Sequence, residues 1–290
     1  MFPLLKRNFA CVAASLLCFA AIFLSSCAST PKREPVAPLS LLGSDDALYV
    51  CVPVDSHKEF VTRALIKLMA LKKSDCEKIT GRINDLYIGT KFGSGFEVSA
   101  SGQFPPNYAK ASLTEKNGWE AYTYRSYDYF VQKSSAMELS VPCAENIMLS
   151  YKISDLLDRF DAAQSGSAGA ADENESYAQT KAFLESNGSR DILFVSSRPD
   201  LFFYAFTGTK LTLGVDKIKG TFFDVPQAAE TYGVNLILEM ADTRTIKAAI
   251  RLLQMALFGT PAKITQTGDS QISVTDITLT WDEILDLISK

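Results

Sequence analysis

The chain has 290 residues, 47% of them hydrophobic, with 29 basic and 33 acidic side chains and a formal net charge of -4. That length suits one large domain or two small ones, and that apolar fraction can bury a real core. A mildly acidic chain lacks the basic footprint that nucleic-acid binding needs, so no nucleic-acid partner is expected.

The first elements concern export. Lys6 and Arg7 precede an uncharged apolar run from Phe9 to Leu24, the n-region and h-region of a secretory signal over residues 1–26. The run is short of the about 20 apolar residues that a membrane span takes. It ends in Leu24-Ser25-Ser26-Cys27, which resembles the lipobox of bacterial lipoproteins: an aliphatic residue, two small residues, then cysteine. Ser26 departs from the commoner Gly or Ala. The resemblance implies a diacylglyceryl group on the Cys27 thiol, cleavage before Cys27 and acylation of the new amine. Membrane lipid is then the first partner. Ala28 rather than Asp follows the cysteine, which by the same resemblance favours sorting to the outer membrane. Cleavage removes Lys6 and Arg7 and no acid, moving the net charge from -4 to -6.

Residues 27–46 read as a lipidated, flexible tether: Pro31, Pro35 and Pro38 interrupt it, and periodic apolar residues are missing until Leu39. A first α+β half is expected over 47–163. Ala47 to Pro53 has the β-branched, apolar character of a buried strand. Asp55 and Ser56 then announce a helix over 57–73, with Phe60, Val61, Ala64, Leu65, Leu68 and Leu71 on one stripe. The period then changes. Short strands are expected over 83–91, 95–103, 119–125, 129–133, 137–142 and 147–151, with turns at Gly93-Ser94-Gly95, Pro105-Pro106 and Asn117-Gly118. Ile153 to Phe160 suggests a helix. Residues 164–176, small and polar, form the expected linker.

The second half, 177–290, repeats the mixture. Helices are expected over 177–184 and 200–206, and strands over 191–196, 210–215, 219–225 and 234–240. A helix over 243–258 carries Ile246, Ala249, Ile250, Leu253 and Leu257 on one stripe. Strands over 262–267 and 271–279 are expected to pair around Thr267-Gly268-Asp269, and an amphipathic helix from Trp281 closes the chain. Two weak echoes hint at duplication. One joins Ala47–Leu71 to Leu236–Leu257. The other joins Gly102–Pro105 to Gly220–Pro226, each with a proline opening a short helix. Chance explains matches this short as well as duplication does. The fold class is therefore α+β, a mostly antiparallel or mixed sheet with amphipathic helices packed on it, in two halves that are related if the echoes are genuine.

Chemistry is sparse. His57 is the only histidine, and Cys51, Cys76 and Cys143 are the cysteines left after the signal and Cys27. An odd count is no disulfide framework: one bridge plus one thiol and three buried thiols both fit. No zinc spacing, nucleophile elbow or phosphate loop occurs, so no metal, no cofactor and no enzymatic activity are expected. A Cys143–His57 pair has no motif around it, and His57 reads as solvated at a first helical turn. Asp155, Asp158 and Asp161 read as a solvated helix face. Trp119, Tyr122, Tyr124, Tyr127, Tyr129 and Phe130 read as cross-strand packing rather than a sugar-stacking face.

The amphipathic helices remain. Phe60, Leu65 and Leu68 on the first, and Ile250, Leu253 and Leu257 on the other, are the candidate membrane-facing residues. Lys58, Arg63, Lys67, Lys72 and Lys73, and Arg244, Lys247 and Arg251, supply basic polar faces. Packing on a core produces the same stripe and is its commoner cause. The whole organisation (lipobox, Pro-rich tether, α+β body, amphipathic helices, no catalytic signature) resembles the spirochaetal lipoproteins concealed in the outer membrane. That resemblance implies helices that engage lipid, a lipid-accessible cavity and a body on the periplasmic side. The expected function is thus a non-enzymatic, membrane- or lipid-engaging envelope lipoprotein. The alternative is an assembly partner of an envelope protein complex, which should show an exposed apolar patch with a polar rim. An enzyme, which should show a pocket with perturbed titratable groups, ranks last.

Overall fold

The central strand of the molecule is β1 (Leu48–Pro53), and its side chains alternate between two cores. Leu48, Val50 and Val52 point to one face, Tyr49 and Cys51 to the other, and all five are buried. A strand covered on both sides reads as a continuous apolar run, which is how Ala47–Pro53 reads in the sequence. The computed structural model describes residues 33–69, 72–91, 95–105, 107–166, 175–186, 190–208 and 213–289. Contacts separate Met1–Glu34 from a unit formed by Pro35–Lys290, and the fold is that of the second. The signal segment and Cys27 lie outside the described residues.

In chain order β1 is followed by α1 (Val54–Met69), α2 (Lys73–Thr80), β2 (Ile83–Thr90), β3 (Phe96–Gly102), α3 (Tyr108–Ser112) and β4 (Trp119–Tyr124). Next come β5 (Tyr127–Gln132), β6 (Glu138–Ser140), β7 (Asn146–Ser150), α4 (Ile153–Gln164) and α5 (Glu175–Glu185). Then follow β8 (Ile192–Ser196), α6 (Pro199–Thr207), β9 (Val215–Asp224), β10 (Thr231–Met240), α7 (Ile246–Ala256), β11 (Lys263–Gln266), β12 (Gln271–Thr280) and α8 (Trp281–Ser289). Twelve strands form one open sheet in the order β11-β12-β10-β9-β8-β1-β2-β3-β7-β6-β5-β4. Its pairings are antiparallel, as in Leu48↔Thr90 and Leu48↔Ser196 on the two sides of β1. The α+β class, with a mainly antiparallel sheet under amphipathic helices, is the observed one.

Helices cover both faces. On one, Phe60 and Val61 of α1, Phe202 and Phe203 of α6, Leu253 of α7 and Ile284 and Leu285 of α8 pack on the sheet. On the other, Ile153, Leu156, Leu157 and Phe160 of α4 and Tyr177 and Leu184 of α5 do so. Strand pairing places Phe194 of β8 opposite Gly220 of β9. The Phe194 ring lies in stacked contact with Phe222 at 4.7 Å and Phe202 at 5.5 Å, and a Cβ on Gly220 would fall 2.2 Å from that ring.

Four expectations need correction. The segment read as the end of a flexible tether is docked: Pro38–Leu41 forms a 3-10 turn, and Leu39, Leu41 and Leu42 are fully buried. Its carbonyls and amides are held by body side chains, namely Asn146 on Val36, Tyr177 on Leu39, Arg159 on Leu41 and Glu97 on Gly43. Prolines marked an irregular backbone correctly, but three leucines supply the burial that composition alone concealed. The helix read over 57–73 is α1, which begins earlier at Val54 and ends at Met69, and α2, from Lys73, is a further helix beyond those expected. The strand read over 219–225 begins at Val215, so that Val215–Asp224 is one strand, while residues 209–212 lie outside the described ones. Pro226–Ala229 is a turn, with Gln227 at φ 73°, and not a short helix. Of the expected linker, residues 167–174 lie outside the described residues.

Candidate functional site

Helix α7 starts at a capped turn. Asp242 accepts from the Arg244 amide and binds its guanidinium, and the helix then runs eleven residues with Ile246, Ala249 and Leu253 buried. These residues recur at helical spacing and fix which face meets the sheet. The face turned away carries Lys247, Arg251, Leu252 and Met255, and Phe258 follows just past the helix end. Leu252 is 40%, Met255 74% and Phe258 90% exposed, an unusual concentration of large apolar side chains in solvent. No acidic residue occurs between Asp242 and Asp269, whereas Arg244, Lys247, Arg251 and Lys263 do. Lys247 and Arg251 have no ion-pair partner among the described residues. The tip is thus apolar with unneutralised cations behind it.

Helix α1 has the same composition but a different fate. Arg63 pairs with Glu230 at 2.5 Å and with Asp282 at 2.6 Å, and Lys67 pairs with Asp286 at 2.6 Å. Arg63 and Lys67 of its basic face are therefore neutralised by Glu230 and by the acidic face of α8. Its apolar face is filled: Phe60 meets Tyr232 and Trp281 edge-on, at 5.4 and 5.8 Å between ring centres. Of the residues that the periodicity singles out, Phe60 and Leu253 are core residues in this structure, and Leu65, Ile250 and Leu257 are half-buried against the same core. The side chain of Leu68 lies outside the described ones. Leu252, Met255 and Phe258 were missed because they fall off the apolar stripe. Their signal was that same displacement: large apolar residues beside Arg251 on the polar side of a helix.

A second feature is a cavity of about 270 Å³ on the α1 face of the sheet, beneath α2 and α3. Ile79, Leu113, Trp119, Leu139, Val141 and Ile147 line it, together with the exposed Lys72 and Lys78. Trp119 and Phe130 of the aromatic cluster belong to this core. Tyr122, Tyr124, Tyr127 and Tyr129 lie on the opposite face, where Asp158 and Asp161 of α4 accept from the Tyr124 and Tyr127 hydroxyls and pair with Arg125. The aspartates therefore dock α4 rather than form a solvated face.

His57 is buried, not solvated. Its Nε2 donates to the Arg190 carbonyl at 2.7 Å and its Nδ1 faces the Tyr232 hydroxyl at 2.7 Å, so both nitrogens are engaged in structural bonds. Cys143 bonds to Asn146, and Cys51, Cys76 and Cys143 are all free thiols. Burial pushes the Cys51 and Cys76 thiols up to about 11, which keeps them protonated. Among the described residues no group of three His, Cys, Asp or Glu could hold a metal, and no helix is long and apolar enough to cross a membrane.

Residues 33–285 match the model of the family described as outer membrane-associated lipoprotein TP0453. Among solved structures, crystal form I of TP0453 superposes with a TM-score of 0.68 at 17% identity, covering 88% of this chain and 98% of that one. Crystal forms III and IV give 0.64 and 0.60 at 16% identity over the same shares. The likeness to these structures is one of fold. No curated protein sequence matches the chain. With the family model spanning nearly all of the body, the chain belongs to the TP0453 family and is an outer membrane-associated lipoprotein.

Proposed function

We propose that the protein is a non-enzymatic lipoprotein, acylated at Cys27, whose periplasmic body adds a second membrane contact through the tip of α7. The observation that carries this reading is the exposure of Leu252, Met255 and Phe258 beside the unpaired Lys247 and Arg251. An apolar tip with cations behind it suits the boundary between acyl chains and anionic headgroups. Moving an apolar side chain of this size out of water contributes roughly 1.5–3 kcal/mol. The several acyl chains on Cys27 already hold the protein at the membrane, and the tip adds a contact that orients the body on the surface. Because the segment from Val36 is docked, at most the stretch from Cys27 to Pro35, about 30 Å fully extended at 3.3–3.6 Å per residue, separates the lipid from the body. A body held that close can apply its tip to the surface. The cavity with its apolar wall and exposed Lys72 and Lys78 is where an amphiphile would lodge, an apolar tail inward and an acidic head at the lysines.

Flotation of residues 28–290, made without lipid, on vesicles containing an anionic phospholipid tests this. The wild-type body is expected to float, and the double variant Met255→Asp, Phe258→Asp to stay at the bottom with an unchanged melting temperature. If the wild-type body also stays down, the lipid on Cys27 is the only anchor. The tip then reads as a docking patch for an envelope protein.

A further inference from the structure

Asp46 is a buried carboxyl without a partner. It is 2% exposed, and its Oδ2 accepts no hydrogen bond. Its place is fixed by its neighbours: its amide donates to the Tyr49 hydroxyl and its carbonyl accepts from Ser197. The carboxyl lies over Gly89, where a Cβ would fall 2.0 Å from Oδ2. It lines a pocket of about 180 Å³ at the end of the sheet where β1 begins and β2 ends, opposite the first turn of α4. At about 30 Å³ per water, that is room for a few heavy atoms and not for an acyl chain.

The charges around it leave one negative charge over. Asp45 is paired with Lys91 at 2.8 Å, Glu97 with Arg159 at 2.6 Å, and Asp155 with Lys152 at 2.9 Å. Asp46 alone has no cation. Phe96 and Tyr151, in edge-to-face contact at 5.8 Å, form an aromatic wall of the same pocket, and Ser150 adds a hydroxyl. A metal ion needs several anionic or imidazole ligands converging, and among the described residues no such group exists. An organic monocation needs one counter-ion, a few acceptors and an aromatic surface, which this pocket has.

We propose that this pocket receives a primary ammonium group, with Asp46 as its counter-ion. Its N–H donors would meet the Asp46 carboxylate and the Ser150 hydroxyl, which already accepts from the Lys152 amide. A quaternary ammonium, which has no N–H to give, leaves Oδ2 unsatisfied. The ammonium can come from an ethanolamine headgroup or from a free amine. Burial, followed by the neighbouring Glu97 charge, pushes the empty site's Asp46 up to about 7. Proton and ammonium therefore compete for one oxygen. This site is independent of the tip of α7.

The test is carbon-detected NMR of the Asp46 carboxyl in residues 28–290, with ethanolamine as the probe. Ethanolamine should shift that signal at pH 8 and hold the carboxyl ionised to lower pH. Its apparent affinity should fall roughly tenfold at pH 6, where about one Asp46 in ten is ionised. Choline should do neither. Asp46→Asn, which keeps the shape of the side chain, should lose at least tenfold in affinity. The wild-type pH series reads the same competition without any variant. Vesicles of phosphatidylethanolamine that reproduce the shift identify a headgroup ligand, and a response to soluble ethanolamine alone identifies a free amine. An Asp46 titration unmoved by ethanolamine, or equal binding by Asp46→Asn, overturns the proposal and leaves a proton as the only occupant.

Discussion

His57 and Tyr232 meet at 2.7 Å in the interior, one at the start of α1 and the other at the start of β10. Because the Arg190 carbonyl can only accept, Nε2 carries a proton, and in the neutral imidazole Nδ1 accepts from the Tyr232 hydroxyl. Burial pushes the phenol well above its usual range, so it remains a donor. The backbone at His57 leaves helical geometry, with φ -122°, to bring the ring there. A side chain from the early part of the chain is thus satisfied wholly by two groups from the late part.

Tyr232→Phe keeps the ring contacts with Phe60 and Trp281 and removes only the donor. The buried Nδ1 is then an unsatisfied acceptor, which costs about 1–3 kcal/mol. Urea unfolding at pH 7.5 should show that loss with an unchanged slope. A loss below 0.5 kcal/mol would mean that a water replaces the hydroxyl at no cost.

Asp46 makes stability depend on pH in the unusual direction. Its carboxyl has a higher pKa folded, about 7, than unfolded, about 3.8. The folded state therefore binds the proton more tightly. The contribution is fully present below about pH 4, declines as pH rises towards 7, and is lost above it. At 1.36 kcal/mol per pKa unit, the decline amounts to a few kcal/mol. Asp46→Asn should remove the slope and be the more stable protein at pH 8 without added amine. Unfolding midpoints at pH 4.5, 6 and 7.5 measure it, and parallel curves for the two proteins would refute the shift.

What could be read from the sequence follows from periodicity, and what could not depends on partners. β1, β10 and the stripe of α7 are local patterns, and they lie where the pattern puts them. Which neighbour covers a stripe is not local: Phe60 and Leu253 carry the signature of a membrane face and of a core face alike, and Tyr232, Trp281 and the sheet decide. Burial of His57 depends on Tyr232, 175 residues away, and the neutralisation of Arg63 and Lys67 on α1 depends on Glu230, Asp282 and Asp286. The exposed tip of α7 was visible only as residues that broke the pattern. The pocket at Asp46 needs β1, β2, β3 and α4 together, and no spacing announces it.

The docked segment before β1 shows the same limit and offers the last prediction. Val36 is held at both backbone groups by one side chain: its amide donates to Asn146 Oδ1 at 2.9 Å, and Asn146 Nδ2 donates to its carbonyl at 2.8 Å. Leu41 is fully buried beyond it, with the Tyr177 hydroxyl donating to Leu39 nearby. In a flexible tether Leu41→Ala would change stability by less than about 0.5 kcal/mol, as at any exposed position. In the docked segment it removes core volume and should cost about 2–5 kcal/mol. Asn146→Ala breaks three part-buried bonds, the two to Val36 and the one that Cys143 donates, and should cost about 1–3 kcal/mol. It should also open residues 36–42 to protease before the sheet unfolds, because their remaining side-chain clamps act on backbone groups further along. Limited proteolysis read by mass spectrometry, beside urea unfolding, separates the two. Early cleavage in Asn146→Ala at near-native stability would mean that the clamp orders the tether alone. Loss of stability without early cleavage would mean that residues 36–42 and the sheet melt as one unit, in which case the docked segment belongs to the folded body from Val36 onward.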